Sequence, residues 1–158
     1  MRIDQGFTLI ELIVTIAIFA IIAAIAAPSM SQLLVKQNLN KSTQELIAVL
    51  NQGRAKAAME RKEITINLNT TNIADKDVAQ KDTTSTEFTT LNWMPSGKAV
   101  LKVASPPVTS ITFLPNGLVK ETTIPSFTIC DQTSGSLSKT VSISKMGTIQ
   151  QVVEGTCS

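Results

Sequence analysis

The sequence contains no histidine and no tyrosine, and its aromatic side chains come to one tryptophan and five phenylalanines. Without histidine the commonest general base and the commonest metal ligand are both missing, and the many serines and threonines have no imidazole to activate them as nucleophiles. Two cysteines, with no second pair and no histidine near them, make a poor metal site. The carboxylates Asp75, Asp77 and Asp82 have a spacing like that of a calcium loop, but a glycine at the central turn and a closing glutamate are absent. They read as solvated loop charges. The formal charge of +2 is close to neutral and implies no charge-driven partner. These absences exclude most enzyme classes: no catalytic residue, metal, cofactor or small-molecule substrate is expected.

What the sequence does have is one long apolar run at its start. Residues 7–27 number 21, and a helix of that length reaches ~31 Å, about one hydrocarbon core. Pro28 closes it. Inside the run sits Glu11, whose carboxylate in hydrocarbon costs at least ~2.5 kcal/mol unless it is paired or reaches the interface. If the chain were cut after Gly6, the new α-amino group of Phe7 would lie one helical turn from Glu11, available to that carboxylate or to one on a neighbouring chain. A secretory signal cut after Ala24-Ile25-Ala26 competes with this reading, but Arg2 and the terminal amine are balanced by Asp4 and Glu11, leaving no positive n-region. An uncleaved anchor with Glu11 snorkelling is the other alternative.

Gly6-Phe7-Thr8-Leu9-Ile10-Glu11, ahead of an unbroken apolar helix with Pro28 near its end, resembles the N-terminal signal of type IV prepilins and type II secretion pseudopilins. That resemblance implies cleavage between Gly6 and Phe7 by a prepilin peptidase, N-methylation of Phe7, and a role for Glu11 in recruiting a neighbour's amine. It divides the chain into a leader peptide (1–6), a transmembrane and assembly helix (7–28) and a periplasmic head (29–158). A glycine before the cut suits a protease that must approach the backbone closely.

Residues 29–158 are enough for one domain with a modest core. The helical pattern resumes after Pro28, which should kink the helix, and runs to about residue 62 with Leu39, Leu46, Leu50 and Ala57 on one stripe and Val35 and Ile47 at its margins. Lys36, Lys41, Glu45, Lys56 and Glu60 form the solvated face. Gly53 is either a weak point or a place where a strand packs close. Strands are expected at 64–68, 88–93, 99–103, 110–114, 126–130, 140–144 and 148–153, with 70–86 a polar excursion. Pro115-Asn116-Gly117 is the strongest hairpin signal, with φ > 0 expected at both central positions. No internal repeat is evident. The fold class is α+β: a long kinked N-terminal helix, half in the membrane and half packed on an antiparallel β-sheet head, as in type IV pilins.

Cys130 and Cys157 both fall where this topology places the chain outside the cytoplasm, and a disulfide is the expected state, with two free buried thiols as the alternative. Closing a loop of about 28 residues contributes ~3 to 4 kcal/mol and ties down the chain's last residues. The run from Gly53 to Arg61 into 64–68, together with 111–117, 127–131 and 141–147, is similar to the GspH, FimT and FimU group of minor pilins and pseudopilins. The resemblance implies a minor type IV pilin that primes assembly at or near the fibre tip and supports twitching motility, adhesion and DNA uptake. Its partners would be other minor and major pilins, the prepilin peptidase and the inner membrane. A GspH-like pseudopilin of type II secretion and a FimT-like DNA-binding pilin are the alternatives. DNA binding is disfavoured because Thr148-Ile149-Gln150-Gln151 stands where that group would show arginines, leaving Lys139 and Lys145 as its best candidates.

Overall fold

The computed structural model of the chain describes residues 7–69, 89–102, 108–123 and 125–157, with the side chains of residues 26–29 outside that set. It divides into two compact units, one ending at Leu34 and one running from Val35. The elements are α1 (Leu9–Glu60), β1 (Ile64–Leu68), β2 (Thr90–Trp93), β3 (Val100–Lys102), β4 (Ser110–Phe113), β5 (Ser126–Cys130), β6 (Ser138–Ser142) and β7 (Val153–Gly155). This is the expected long helix followed by largely antiparallel sheet.

In the first unit, the apolar residues from Phe7 to Ile25 are exposed on every face of the helix. A helix that is apolar all round has no inward side, so nothing within the unit can cover it. Thr15, a polar residue in this stretch, turns its hydroxyl back to donate to the Leu12 carbonyl at 2.8 Å, which leaves the helix surface apolar.

The second unit is built on the stripe read from sequence. Leu39, Leu46, Leu50 and Ala57 are all buried in one core with residues of both sheets. Each such leucine contributes about 1.5 to 3 kcal/mol by leaving water. Gly53 lies on the same face because β1 approaches there: a methyl group at Gly53 would come 2.7 Å from Ile66 Cδ1. Helix and sheet can meet this closely only where Cβ is missing.

The first sheet has the order β2-β1-β4 and the second β3-β5-β6-β7. Alternation places Ile64, Ile66 and Leu68 of β1 and Ile111 and Phe113 of β4 in the core. On the outer face Thr65 and Thr112 hydroxyls meet at 3.3 Å. Among the described residues the strands thus form two sheets, and one pair departs from antiparallel: β1 and β2 run parallel, in register from Thr65 with Thr90 to Leu68 with Trp93. Parallel neighbours require a long crossover, and the polar excursion between β1 and β2 supplies the length. Residues 70–88, including Asp75, Asp77, Asp82 and the start of the strand expected at 88–93, lie outside the described residues.

Two sequence expectations change here. The turn at Pro115-Asn116-Gly117 is a three-residue hairpin loop: Gly117 N donates to Leu114 O at 2.8 Å, Leu114 N donates to Leu118 O at 2.8 Å, and only Gly117, with φ of 76°, is left-handed. Pro115 fixes its own φ near −65°, which forbids the mirror-image turn and selects the form with glycine in the third position. The second change is a structural repeat. Ser144 N donates to Thr148 O and Gly147 N to Ser144 O, both at 2.9 Å, and Gly147 has φ of 74°. Phe113 bridges Val119 just as Ile143 bridges Ile149. The two hairpins are the same device 30 residues apart, sharing little more than the glycine. They lie side by side, Val119 N donating to Lys145 O at 3.1 Å, and a methyl group at Gly147 would collide with the Gly117 carbonyl.

The last expected strand, 148–153, is split. Ile143 pairs with Ile149 but Thr140 pairs with Val153, so the returning strand holds one residue more than β6 between those pairs. This is a bulge, located where Gln150-Gln151 interrupts the apolar-polar alternation.

Candidate functional site

Thr8 caps α1. Its carbonyl accepts the first helical bond from Leu12 N at 3.2 Å, and its hydroxyl accepts from Glu11 N at 3.3 Å. Thr8-Leu9-Ile10-Glu11 is therefore a capping-box sequence, Ser or Thr followed three residues later by Glu, and it places Glu11 beside the positive end of the helix dipole. The sequence reading gave Glu11 an intermolecular role and missed this local one, although the Thr-x-x-Glu spacing was available to find it. Glu11 is thereby held in the first turn, one turn from Phe7. Phe7 is 87% exposed. Gly6 lies outside the described residues, and Pro28, within α1, is among those whose side chains are outside them.

At the other end of the chain, Cys130 in β5 is bonded to Cys157, with Cα atoms 5.9 Å apart, a separation that suits a disulfide. Cys157 N also donates to Ser136 O at 3.4 Å. Lys139 pairs with Glu154 across β6 and β7 at 3.0 Å, and Lys145 Nζ donates to the Glu121 carbonyl. The two lysines singled out for phosphate contact are thus already engaged within the head.

A turn is docked on the helix by side chains that the sequence reading passed over. Ser42 Oγ, buried in α1, accepts from Ser96 N at 2.8 Å, and Ser96 Oγ donates to Glu45 Oε2 at 2.9 Å. Ser42 at the same time donates to Asn38 O at 2.7 Å. A serine on the buried stripe of a helix is a signal that something polar must meet it there. Among the described residues no cluster of His, Cys, Asp and Glu is able to hold a metal. An open cleft of about 500 Å³ runs between Gly97–Val100 and 132–134, and among the described residues Lys98 is the one charged side chain lining it. Nothing in it converges on a reacting atom.

No single helix among the described residues is long and apolar enough to cross a membrane; Leu9–Ile25 and Met30–Glu60 taken together pass that test by length and composition. The chain matches two families, one described as "Prokaryotic N-terminal methylation motif" over residues 1–27 and one as "Type II transport protein GspH" over residues 42–147. Two proteins of Pseudomonas aeruginosa, each called "Fimbrial protein", are 34% identical to it over 103 residues, 65% of this chain and 61% of theirs. The chain thus matches less than two thirds of their length. Among solved structures, the type IV minor pilin FimU of Pseudomonas aeruginosa is similar in two crystal forms, with TM-scores of 0.52 and 0.50 at 24% identity. The matches cover 73% and 71% of this chain and 88% and 90% of FimU. At that identity they speak to the fold alone. The family is structural and not enzymatic, it assembles with other pilins, and its N-terminal motif is the one a prepilin peptidase processes. With the methylation motif at its start and the GspH match over most of the head, this chain belongs to the GspH family of type IV minor pilins and pseudopilins.

Proposed function

We propose that this protein is a minor type IV pilin, cut between Gly6 and Phe7, N-methylated on Phe7, and held in the inner membrane by residues 7–28 with the head, 29–158, in the periplasm. It then enters the fibre at or near the tip, where it primes assembly and supports twitching motility, adhesion and DNA uptake. The observation that carries this reading is the helix of the first unit, apolar and exposed on all faces, with a single carboxylate, Glu11, in its first turn. Such a surface is stable only in lipid or among like helices, and one buried charge per subunit gives those helices a register. Pro28 kinks the helix where it leaves the membrane, and the Cys130–Cys157 bond suits an oxidising compartment.

Mass spectrometry of the mature chain tests the processing step, with a methylated Phe7 N-terminus expected and a start at Met1 or Ala27 refuting it. Its presence in sheared fibres tests the assembly step. A second reading, a pseudopilin of type II secretion, is favoured by the description of the family that covers the head. Deletion separates the two: loss of twitching supports the pilus and loss of exoprotein secretion supports the secretion system. A DNA-binding role is the least supported, because Lys139 and Lys145 are engaged.

A further inference from the structure

We infer that Arg54 is a docking point for a carboxylate of a neighbouring pilin subunit, the reading resting on the assembly role proposed above. Arg54 is half-buried near the end of α1, and its stem passes over both of the matched hairpins. A methyl group at Gly147 would lie 3.0 Å from Arg54 Cδ and 3.1 Å from Nε, and one at Gly117 would lie 3.5 Å from Nε. The two glycines thus make room for this side chain as well as for their own turns. A guanidinium placed so carefully usually serves an acceptor within the fold, yet Arg54 has no hydrogen-bond or ion-pair partner among the described residues. Its stem is fixed and partly dry, so little freedom is left to lose when a partner binds, and a planar fork of donors matches a carboxylate in two bonds.

Charge on the same elements indicates the partner. Lys56 is paired with Glu60 at 3.8 Å, Lys120 with Glu63 at 2.7 Å, and Lys145 is committed to the Glu121 carbonyl. A polyanion such as DNA needs several unpaired cations side by side. Among the described residues Arg54 and Arg61, seven residues apart, are the unpaired cations of this region, and it is Arg54 that lies over the hairpins, which fits one acidic side chain. The turns also carry exposed Pro115 and Met146, the latter 67% exposed, giving the charge an apolar rim of the kind found around interface arginines.

The test uses the full-length protein in cells lacking the unsubstituted copy, with a photo-crosslinking amino acid at Met146. An adduct with another pilin is expected, identified by mass spectrometry. Arg54→Met keeps the apolar stem and removes the donors; it should lower the adduct at least tenfold at equal membrane abundance. Arg54→Glu should abolish it, and exchange of one partner carboxylate for lysine should restore it. Arg61→Glu, which reverses an exposed cation just beyond the helix, should change the yield less than twofold. An adduct that survives Arg54→Met, an equal loss with Arg61→Glu, or an adduct to nucleic acid overturns the assignment of Arg54 alone. No adduct to any pilin from the unsubstituted chain, together with its absence from fibres, overturns the assembly reading and this inference with it.

Discussion

Replacing Gly53 by alanine sets two opposed effects against each other at one atom. Alanine in place of glycine in a helix interior is worth about 1 kcal/mol in favour of folding. The added methyl, however, would stand 2.7 Å from Ile66 Cδ1 and 3.1 Å from Ile66 Cγ1, well inside the ~3.5 to 4.0 Å at which carbons attract. Overpacking of this kind costs about 1 to 3 kcal/mol. Gly53→Ala should therefore destabilise by about 1 kcal/mol net, against the helix propensity. Ile66→Val removes the offending Cδ1 and by itself costs about 0.5 to 1.5 kcal/mol. In that background only the 3.1 Å approach to the retained γ-carbon remains, so Gly53→Ala should fall to about neutral, a coupling of about 1 kcal/mol between the two sites. Urea titration of the full chain in mild detergent reads this directly, because the single tryptophan, Trp93, is 3% exposed and reports on the head. A stabilising Gly53→Ala in the unsubstituted protein, or additivity within about 0.3 to 0.5 kcal/mol, would sink the close-approach argument.

Gly147→Ala forces a side chain into the left-handed region and against the Gly117 carbonyl, so a loss of about 2 kcal/mol or more is expected in the same titration. Leu50→Ala, at a site 1% exposed, should cost about 2 to 5 kcal/mol. Cys157→Ser opens the 27-residue loop and should lower stability by up to about 3.5 kcal/mol, checked against the reduced form of the native chain. Glu11→Gln is expected to leave the head's unfolding midpoint within about 0.5 kcal/mol while reducing the amount of protein in sheared fibres; unaltered incorporation would remove the role given to that carboxylate.

The helix stripe was legible because Leu39, Leu46, Leu50 and Ala57 recur at helical spacing, and all four are buried. Strand β1 was legible for the corresponding reason at a period of two, and β5 was placed to the residue. Pairing was harder. Nothing in residues 64–68 or 88–93 tells parallel from antiparallel, since direction is decided by the connection between them and not by side-chain alternation. The repeated hairpin was hidden because its geometry rests on one glycine and on backbone bonds that different side chains can frame equally well. Of the candidate site, the N-terminal motif was readable as letters, since charge in an apolar run stands out. Arg54 was not: its isolation appears only once Lys56, Lys120 and Lys145 are seen to have found partners in space.

The bulged return that carries β7 has a further consequence. All three residues of β7 are exposed while Ile149 and Val152 before them pack against the core, so the core loses little if β7 alone lifts away, and the disulfide, with the Lys139–Glu154 pair, keeps it seated. Reduction should therefore leave a head that still looks native by fluorescence while β6 is left as a bare border, ready to recruit backbone from any passing chain. The symptom of a missing sulfur bridge would be clumping before melting is seen, and a chain made without thiol oxidant would be lost to aggregates while much of its fold was still intact.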